Sequence, residues 1–536
     1  MVVKTPRRRS SNYYNDAYGR CRSTRAVIAL RQLLDRAARL HAARPCVIDD
    51  HGSFTFAEVH ARAHALAAAL QARGCVPGDR ILVSLPNGLD AAIAEIAIPL
   101  GGFVKVGLHP RTGEQEARHV IESTTPAAVL ASAESAPRLA ISDDRMLLGG
   151  AHQSAGLATI AAAIQQQLPL REVAPGPHDL CTISHTSGST GIPKGVMMTS
   201  RKMVSAILDH QASIFCLRPT DVVLSTSSLA VATGQRLLLT YLTGAAHVLP
   251  GASHGSCVAE AIERHRVTVA VMVTTILGDL CGIEGYWPRT LRLVQYGAAP
   301  SSAALIRKAF ERLGPTLHQG YGMTEAGWTG AFLDPEDHRA AIAGERPELL
   351  ESVGRPFLGT AFRIFNDGAD APVGTAGEIV VGADHLFEGY WPPAAASSRD
   401  RLSPDGGWFA SADLGRIDSN GYLYIQGRLD DAIISGGANV HPRQVELALE
   451  KLPGVREAVV VGLPDPRLGR RVEAVVILSP EASISEAGLL AGSRAALGRV
   501  RAPRRVHILC ELPRLPGEKV DRAALTRRLQ EDSVSN

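Results

Sequence analysis

His185-Thr186-Ser187-Gly188-Ser189-Thr190-Gly191-Ile192-Pro193-Lys194-Gly195 stands directly behind a short apolar run at 180–183. The segment joins small hydroxyl residues with three glycines and one lysine. Glycines let backbone N–H groups come close to an anion, hydroxyls donate further hydrogen bonds, and lysine adds charge, so the composition suits a loop that wraps phosphate oxygens. It is not the common P-loop, because Pro193 stands five residues after Gly188 where that motif has glycine. Ser/Gly/Thr runs also make linkers, and the segment alone does not choose between the two.

Working outward, apolar runs bounded by turn residues at 80–84, 127–131, 267–273 and 378–381 read as buried strands. Helices alternate with them. Thr55 caps one, Glu58 completes a capping box, Val59, Ala63, Leu66 and Leu70 share a face, and Gly74 ends it. A second helix runs from about Ser302 to Leu313, with Leu305, Ile306, Ala309, Phe310 and Leu313 inward and Gly314-Pro315 as its stop. The alternation predicts α/β layers with mostly parallel sheets. Towards the C-terminus, strands at 458–461 and 472–478 flank a Pro464-Asp465-Pro466 turn, and a helix presents Val445, Leu449 and Leu452. Gly427-Arg428-Leu429-Asp430-Asp431 separates the two regions. The expected organisation is a flexible tail at 1–25, a large N-terminal domain of layered sheets and helices at 26–427, a linker at 428–431, and a small α+β C-terminal domain at 432–536, about a hundred residues and a normal domain size.

With 536 residues the chain exceeds one hydrophobic core. Apolar content of 45% and charged content of 20% fit a globular protein, and a net charge of +3 gives no argument for nucleic acid as a partner. The eight cysteines are scattered without a C-x-x-C pair, as expected of reduced structural thiols in the cytoplasm rather than a metal site. The apolar run at 267–277 is too short to span a bilayer, and the stretch 91–108 is interrupted by Glu95, Pro99 and Lys105. The first 25 residues are rich in Arg and Ser and lack the apolar segment of a secretory signal.

Further words carry chemistry. In Gln319-Gly320-Tyr321-Gly322-Met323-Thr324-Glu325 an aromatic face, a neutral donor and a hard carboxylate oxygen follow one another. Tyr296-Gly297-Ala298-Ala299-Pro300 has the small residues of a narrow site or of a plain strand-to-helix turn. Trp408-Phe409-Ala410-Ser411-Ala412-Asp413 ends on a carboxylate with lone pairs for a vicinal diol. Ile434-Ser435-Gly436-Gly437-Ala438-Asn439-Val440-His441-Pro442 and Leu512-Pro513-Arg514-Leu515-Pro516-Gly517-Glu518-Lys519-Val520-Asp521-Arg522 complete the set.

Taken in their order along the chain, from about 54 to 525, these words resemble the adenylate-forming superfamily of acyl- and aryl-CoA synthetases, adenylation domains and luciferases. The resemblance implies ATP, Mg²⁺ and coenzyme A as co-substrates and cofactor. It implies that Thr186, Ser187, Gly188, Ser189, Thr190, Gly191 and Lys194 hold phosphates, with Thr190 and Glu325 on the metal. Ala299, Pro300, Gln319, Gly320, Tyr321, Gly322, Asp413, Ile425 and Arg428 would surround AMP, Tyr321 stacking on adenine and Asp413 accepting from both ribose hydroxyls. Thr324, Glu325 and Lys519 would be catalytic, Lys519 bridging the carboxylate and the α-phosphate. Asp430 would be the hinge about which a mobile C-terminal domain turns, and Ser435, Gly436 and Gly437 would border the pantetheine tunnel. Val231, Gly297 and Ala298 would line the acyl pocket.

Four residues depart from the family pattern: His185 for a frequent tyrosine, Val231 for a histidine or aromatic, and Ala412 and Glu518 for glycines. No aspartate occurs between Leu224 and Gly234 to pair with a substrate ammonium, which disfavours a free α-amino acid and leaves aryl and short or medium aliphatic acids. No Ser-His-Asp or Cys-His set suggests a protein nucleophile. The expected activity is acyl-AMP formation followed by thioester formation with CoA. The alternatives are loading of a carrier protein's phosphopantetheine, luciferase-like oxidation of the adenylate, and a non-catalytic acyl- or nucleotide-binding protein. Arg467, Arg470, Arg471, Arg501, Arg504 and Arg505 suit either the CoA phosphates or an acidic carrier. A monomer or homodimer is expected.

Overall fold

The computed structural model describes residues 29–534 except 140, 151–157, 174, 187–192, 231, 253, 287, 300, 367, 393–400, 404–405, 436–437, 481 and 516–518. The tail expected at 1–25 lies outside the described residues.

Local signals set the helices. The Thr55 hydroxyl accepts from the Glu58 N–H at 3.3 Å and the Glu58 carboxylate accepts from the Thr55 N–H at 2.7 Å, opening helix Phe56–Ala72 with a reciprocal cap. Val59, Ala63, Leu66 and Leu70 are fully buried along it, each large side chain contributing about 1.5–3 kcal/mol. Ser302 caps helix Ala303–Leu313 by accepting from the Leu305 N–H at 3.3 Å, and Gly314, at φ +67°, takes the left-handed turn that stops it.

The helices cover two large sheets. In the first, the order is Arg355–Pro356, Gly330–Leu333, Leu317–Gly322, Leu293–Gly297, Val269–Val273, Val222–Ser225, Ala246–Val248, Pro45–Asp49, Gly52–Thr55. Its middle six strands are parallel, as the βα alternation predicts. The second runs Tyr390–Trp391, Lys194–Thr199, Leu180–Thr186, Val104–Gly107, Arg80–Ser84, Ala128–Ser132, Met146–Gly149. Thr186 and Lys194 face each other across an antiparallel pair, so the glycine-rich loop leaves one strand and re-enters the next.

The polar interruptions of the 91–108 stretch pair with each other. Glu95, in helix Leu89–Leu100, and Lys105, in strand Val104–Gly107, form a buried ion pair, and Lys105 Nζ also donates to the Leu229 carbonyl at 2.8 Å. Burial raises the Glu95 pKa, and Lys105 opposes the rise.

A third, wholly antiparallel sheet orders Ala369–Asp370, Thr360–Asn366, Gly377–Ala383, Trp408–Ile417 and Leu423–Arg428. Beyond Arg428 the chain builds another sheet from Ile433–Ser435, Ala438–Val440, Val455–Asp465, Gly469–Leu478 and Arg505–Leu509. Its two apolar clusters, around Val460 and Val476 and around Val475 and Leu525, use only residues from 433 onward. The hairpin Val455–Asp465 with Gly469–Leu478 is longer than the runs at 458–461 and 472–478, because cross-strand pairing extends through Pro464 and Arg470 to the turn. The architecture is α/β, with a large N-terminal part of layered sheets and helices and a small α+β C-terminal part. Among the described residues no helix is long and apolar enough to cross a membrane.

Candidate active site

Strand Leu317–Gly322 carries Gln319, Gly320, Tyr321 and Gly322, and the single 3-10 turn Thr324–Ala326 then sets out Thr324 and Glu325. Its parallel neighbour brings Gly297 beside Gly320. A side chain at Gly297 would collide with the Gly320 carbonyl, and one at Gly320 would come within 2.7 Å of Gln295 Nε2, so main chain meets main chain here. Ala298 turns away at φ +65°, and the Ala299 carbonyl accepts from Thr274 Oγ1 at 3.2 Å. Gln319 is buried, and its Oε1 has no hydrogen-bond partner among the described residues.

Asp413 stands at the centre. The Tyr321 hydroxyl donates to Asp413 Oδ2 at 2.5 Å, and Arg428 NH1 lies 3.3 Å from Oδ1. Asp413 and Arg428 are register partners of two antiparallel strands, which fixes that pairing, and Ile425 sits half-buried on the same strand opposite Gly415. Burial raises the Asp413 pKa, while the Tyr321 hydrogen bond, Arg428 and Lys519 hold it down. Ala412 adopts φ +64°, a left-handed conformation, and donates its N–H to Glu378 Oε1 at 2.9 Å. The family's glycine at this position would take that turn without strain, so the alanine methyl leaves the turn in place at a conformational cost.

The C-terminal part contributes Lys519. The residue as a whole is exposed, and its ammonium is close enough to feel the charges of the N-terminal part. Loss of water lowers its pKa first and Arg428 second, while Asp413 and Glu325 pull it back up. Its carbonyl accepts from the Leu515 N–H at 2.8 Å, and Arg514 and Val520 form a bridge around it.

Glu325 is held from the other side. The Tyr390 hydroxyl donates to Glu325 Oε1 at 2.8 Å, the Glu325 carbonyl accepts from the Phe387 N–H at 2.8 Å, and Lys194 Nζ lies 5.4 Å from the Tyr390 ring centroid. Lys194 at the end of the glycine-rich loop is thereby linked to the carboxylate through one aromatic ring.

The structure brings Tyr321, Glu325, Asp413, Arg428 and Lys519 to one cleft, with Lys194 at its edge. Thr186 ends the strand leading into the glycine-rich loop. Asp430 lies 3.9 Å from Arg401 and 4.0 Å from Arg428. Ser435 is buried in the C-terminal sheet, paired with Ala438 and Gly469. Ser187, Gly188, Ser189, Thr190, Gly191, Val231, Pro300, Gly436 and Gly437 lie outside the described residues. Two residues at the cleft carry no signal in the sequence: Tyr390, which orients Glu325, and Glu378, which holds the Ala412 turn.

Residues 34–391 match the model of the AMP-binding enzyme family, and residues 444–519 match that of the AMP-binding enzyme C-terminal domain. The chain belongs to the AMP-binding enzyme family. Its activity is that of an AMP-forming acid–thiol ligase, which adenylates a carboxylic acid and then forms a thioester. This AMP-binding enzyme is 32% identical to a feruloyl-CoA synthase of Amycolatopsis sp over 92% of the chain and 97% of that protein. It is 31% identical to a sulfoacetate–CoA ligase of Cupriavidus necator over 89% of the chain and 93% of that protein. Among solved structures, the amide bond synthetase McbA of Marinactinospora thermotolerans superposes with a TM-score of 0.83 at 30% identity, covering 94% of this chain and 100% of that one.

Proposed function

We propose that this enzyme activates an aryl or a short to medium aliphatic acid with ATP in the cleft around Asp413 and Glu325, releases pyrophosphate, and passes the acyl group from AMP to the thiol of coenzyme A. The observation that carries the reading is Asp413 held by Tyr321 at 2.5 Å and Arg428 at 3.3 Å, with the Lys519 ammonium of the C-terminal part close enough to feel Asp413, Glu325 and Arg428. In the first half-reaction a substrate carboxylate oxygen attacks the α-phosphorus in line and pyrophosphate leaves. The protein's work is positioning and charge neutralisation. Tyr321 offers its ring to adenine and Asp413 its oxygens to the ribose diol, with Arg428 completing the ribose and phosphate contacts. Thr324, Thr186, Lys194 and residues 187–191 would hold the phosphates. Tyr390 takes one Glu325 oxygen, and the second, with the Thr190 hydroxyl, fits the hard-oxygen preference of Mg²⁺, which when bound neutralises phosphate charge. Lys519 stabilises the charge that builds between carboxylate and α-phosphate.

In the second half-reaction the C-terminal domain, 432–536, turns about Asp430, withdraws Lys519 and presents Ser435, Gly436 and Gly437 to pantetheine. A thiolate attacks the acyl carbonyl and AMP departs. Arg470 and Arg471 are engaged internally, Arg470 with the Gly462 carbonyl at 2.8 Å and Arg471 with Glu473 at 2.5 Å. Arg467, Arg501, Arg504 and Arg505 remain exposed and available to the phosphates of CoA. The acid preference rests on the absence of an aspartate between Leu224 and Gly234 and on the likeness to the feruloyl-CoA synthase. The enzyme works in the cytoplasm, where both co-substrates are made.

The test is a panel of aryl, aliphatic and amino acids with Mg-ATP, read by pyrophosphate exchange, then repeated with CoA, a phosphopantetheinylated carrier and simple amines, read by mass spectrometry. Acid-dependent exchange and an acyl-CoA product are expected. Exchange with none of the acids overturns the catalytic reading in favour of a binding protein. Carrier-bound thioester or amide in place of acyl-CoA overturns the choice of acceptor.

A further inference from the structure

Away from this cleft, Asp35 of helix Leu30–Leu40 faces His60 and His64, one turn apart on helix Phe56–Ala72. His60 Nε2 and His64 Nε2 are 3.1 Å apart, and they lie 3.2 and 3.5 Å from the same oxygen, Asp35 Oδ1. We propose that Asp35, His60 and His64 form a binding site for a divalent transition-metal ion, zinc by ligand chemistry, that joins these two helices.

The triangle is the reason. Each neutral Nε2 carries at most one hydrogen, and no arrangement of hydrogens satisfies all three sides: two N–H groups can share Asp35 Oδ1, but they then face each other across the 3.1 Å His60–His64 side. A cation at the centre engages all three. Tetrahedral zinc, with bonds near 2.0–2.1 Å, sets its ligand atoms about 3.3 Å apart, and the three observed separations bracket that value. The second carboxylate oxygen, Oδ2, is turned to Arg31 at 3.9 Å, which leaves Oδ1 to the imidazoles. Behind the site, His60 Nδ1 lies 3.1 Å from the buried Tyr241 hydroxyl. With a metal bound, Nδ1–H donating to that oxygen would set the tautomer that presents Nε2 as a ligand, the outer-shell arrangement usual for zinc histidines. All three side chains are only partly buried, so an ion has an entry path and a water can complete the coordination. Tyr241 belongs to helix Ala232–Thr243, so the metal would tie three helices of the N-terminal part together.

The experiment uses the full-length enzyme stripped with chelator and titrated with Zn²⁺ alone and with Co²⁺ alone. Wild type is expected to take up one equivalent tightly, to show the visible ligand-field bands of tetrahedral Co²⁺, and to melt at higher temperature with Zn²⁺. The double variant His60→Gln/His64→Gln should bind at least about 100-fold more weakly and lose the bands, and Tyr241→Phe should weaken binding by about tenfold, the range that loss of an outer-shell partner spans. Asp35→Asn, which keeps shape and hydrogen bonding, supplies the same readout if the double variant does not fold. Equal Zn²⁺ affinity in wild type and in these variants, or Co²⁺ bound without tetrahedral bands, overturns the site and leaves a hydrogen-bonded cluster. Pyrophosphate exchange with Mg-ATP is untouched by either result.

Discussion

The Tyr321 hydroxyl and Asp413 Oδ2 are 2.5 Å apart, across 92 residues of sequence, and Asp413 is at once the register partner of Arg428. Burial raises the Asp413 pKa, and this hydrogen bond is the strongest influence opposing it. A ribose diol needs the carboxylate form, so ATP binding should weaken as pH falls through the Asp413 pKa. Tyr321→Phe removes the opposing bond and should move the acid limb of kcat/KM for ATP to higher pH. An unchanged limb, measured over acidic pH with substrate acid saturating, would separate Tyr321 from Asp413.

The role proposed for Lys519 separates the two half-reactions. Lys519→Ala should slow pyrophosphate exchange by about 100-fold or more, while thioester formation from a synthetic acyl-AMP and CoA stays near wild type. Because burial and Arg428 depress its pKa, the alkaline limb of adenylation should fall below the ordinary lysine pKa of about 10.4. Equal loss in both half-reactions, measured by single turnover, contradicts the assignment.

Ala412 turns at φ +64° beside Asp413. A left-handed alanine costs about 1–2 kcal/mol, and glycine gives back about 0.4–1 kcal/mol through the unfolded chain. Ala412→Gly is therefore expected to be neutral to about 1 kcal/mol more stable in urea unfolding, with adenylation preserved. A clear loss of stability would mean that the alanine methyl makes a favourable contact outweighing the strain.

The buried Glu95–Lys105 pair should be sensitive to loss of one partner. Lys105→Met leaves Glu95 buried without its cation and should cost about 3–5 kcal/mol at neutral pH. The folded Glu95 pKa is already raised and rises further in this variant, so the folded state favours the protonated acid. Stability is then greatest below the carboxyl's unfolded pKa and is lost as pH rises through the folded one. Unfolding curves at acidic and neutral pH should show the variant closing part of its gap to wild type in acid.

What the sequence disclosed is what is encoded locally. The Thr55–Glu58 cap, the Ser302 cap and the apolar strands at 80–84, 127–131, 267–273 and 378–381 need only neighbouring residues, and they occur within a residue or two of where the pattern puts them. Within the cleft, Tyr321, Glu325, Asp413, Arg428 and Lys519 were legible as words of a family. Tyr390 and Glu378 were not, because each acts on a residue 65 or 34 positions away and nothing nearby in the chain marks it. The anomaly at Ala412 was visible as a missing glycine, but its cause, a left-handed φ, exists only in three dimensions. His60 and His64 carry no metal-site signal in the sequence because Asp35 belongs to another helix.

Lys451 of the C-terminal part meets Glu351 of the N-terminal part at 2.6 Å, with both side chains largely in water. An exposed pair of this kind contributes about 0–1 kcal/mol and is screened by dissolved ions. In the proposed two-pose cycle, such a contact would be a weak latch on the pose that brings Lys519 to the carboxylates, and added salt would be expected to release it and shift the partition away from that pose.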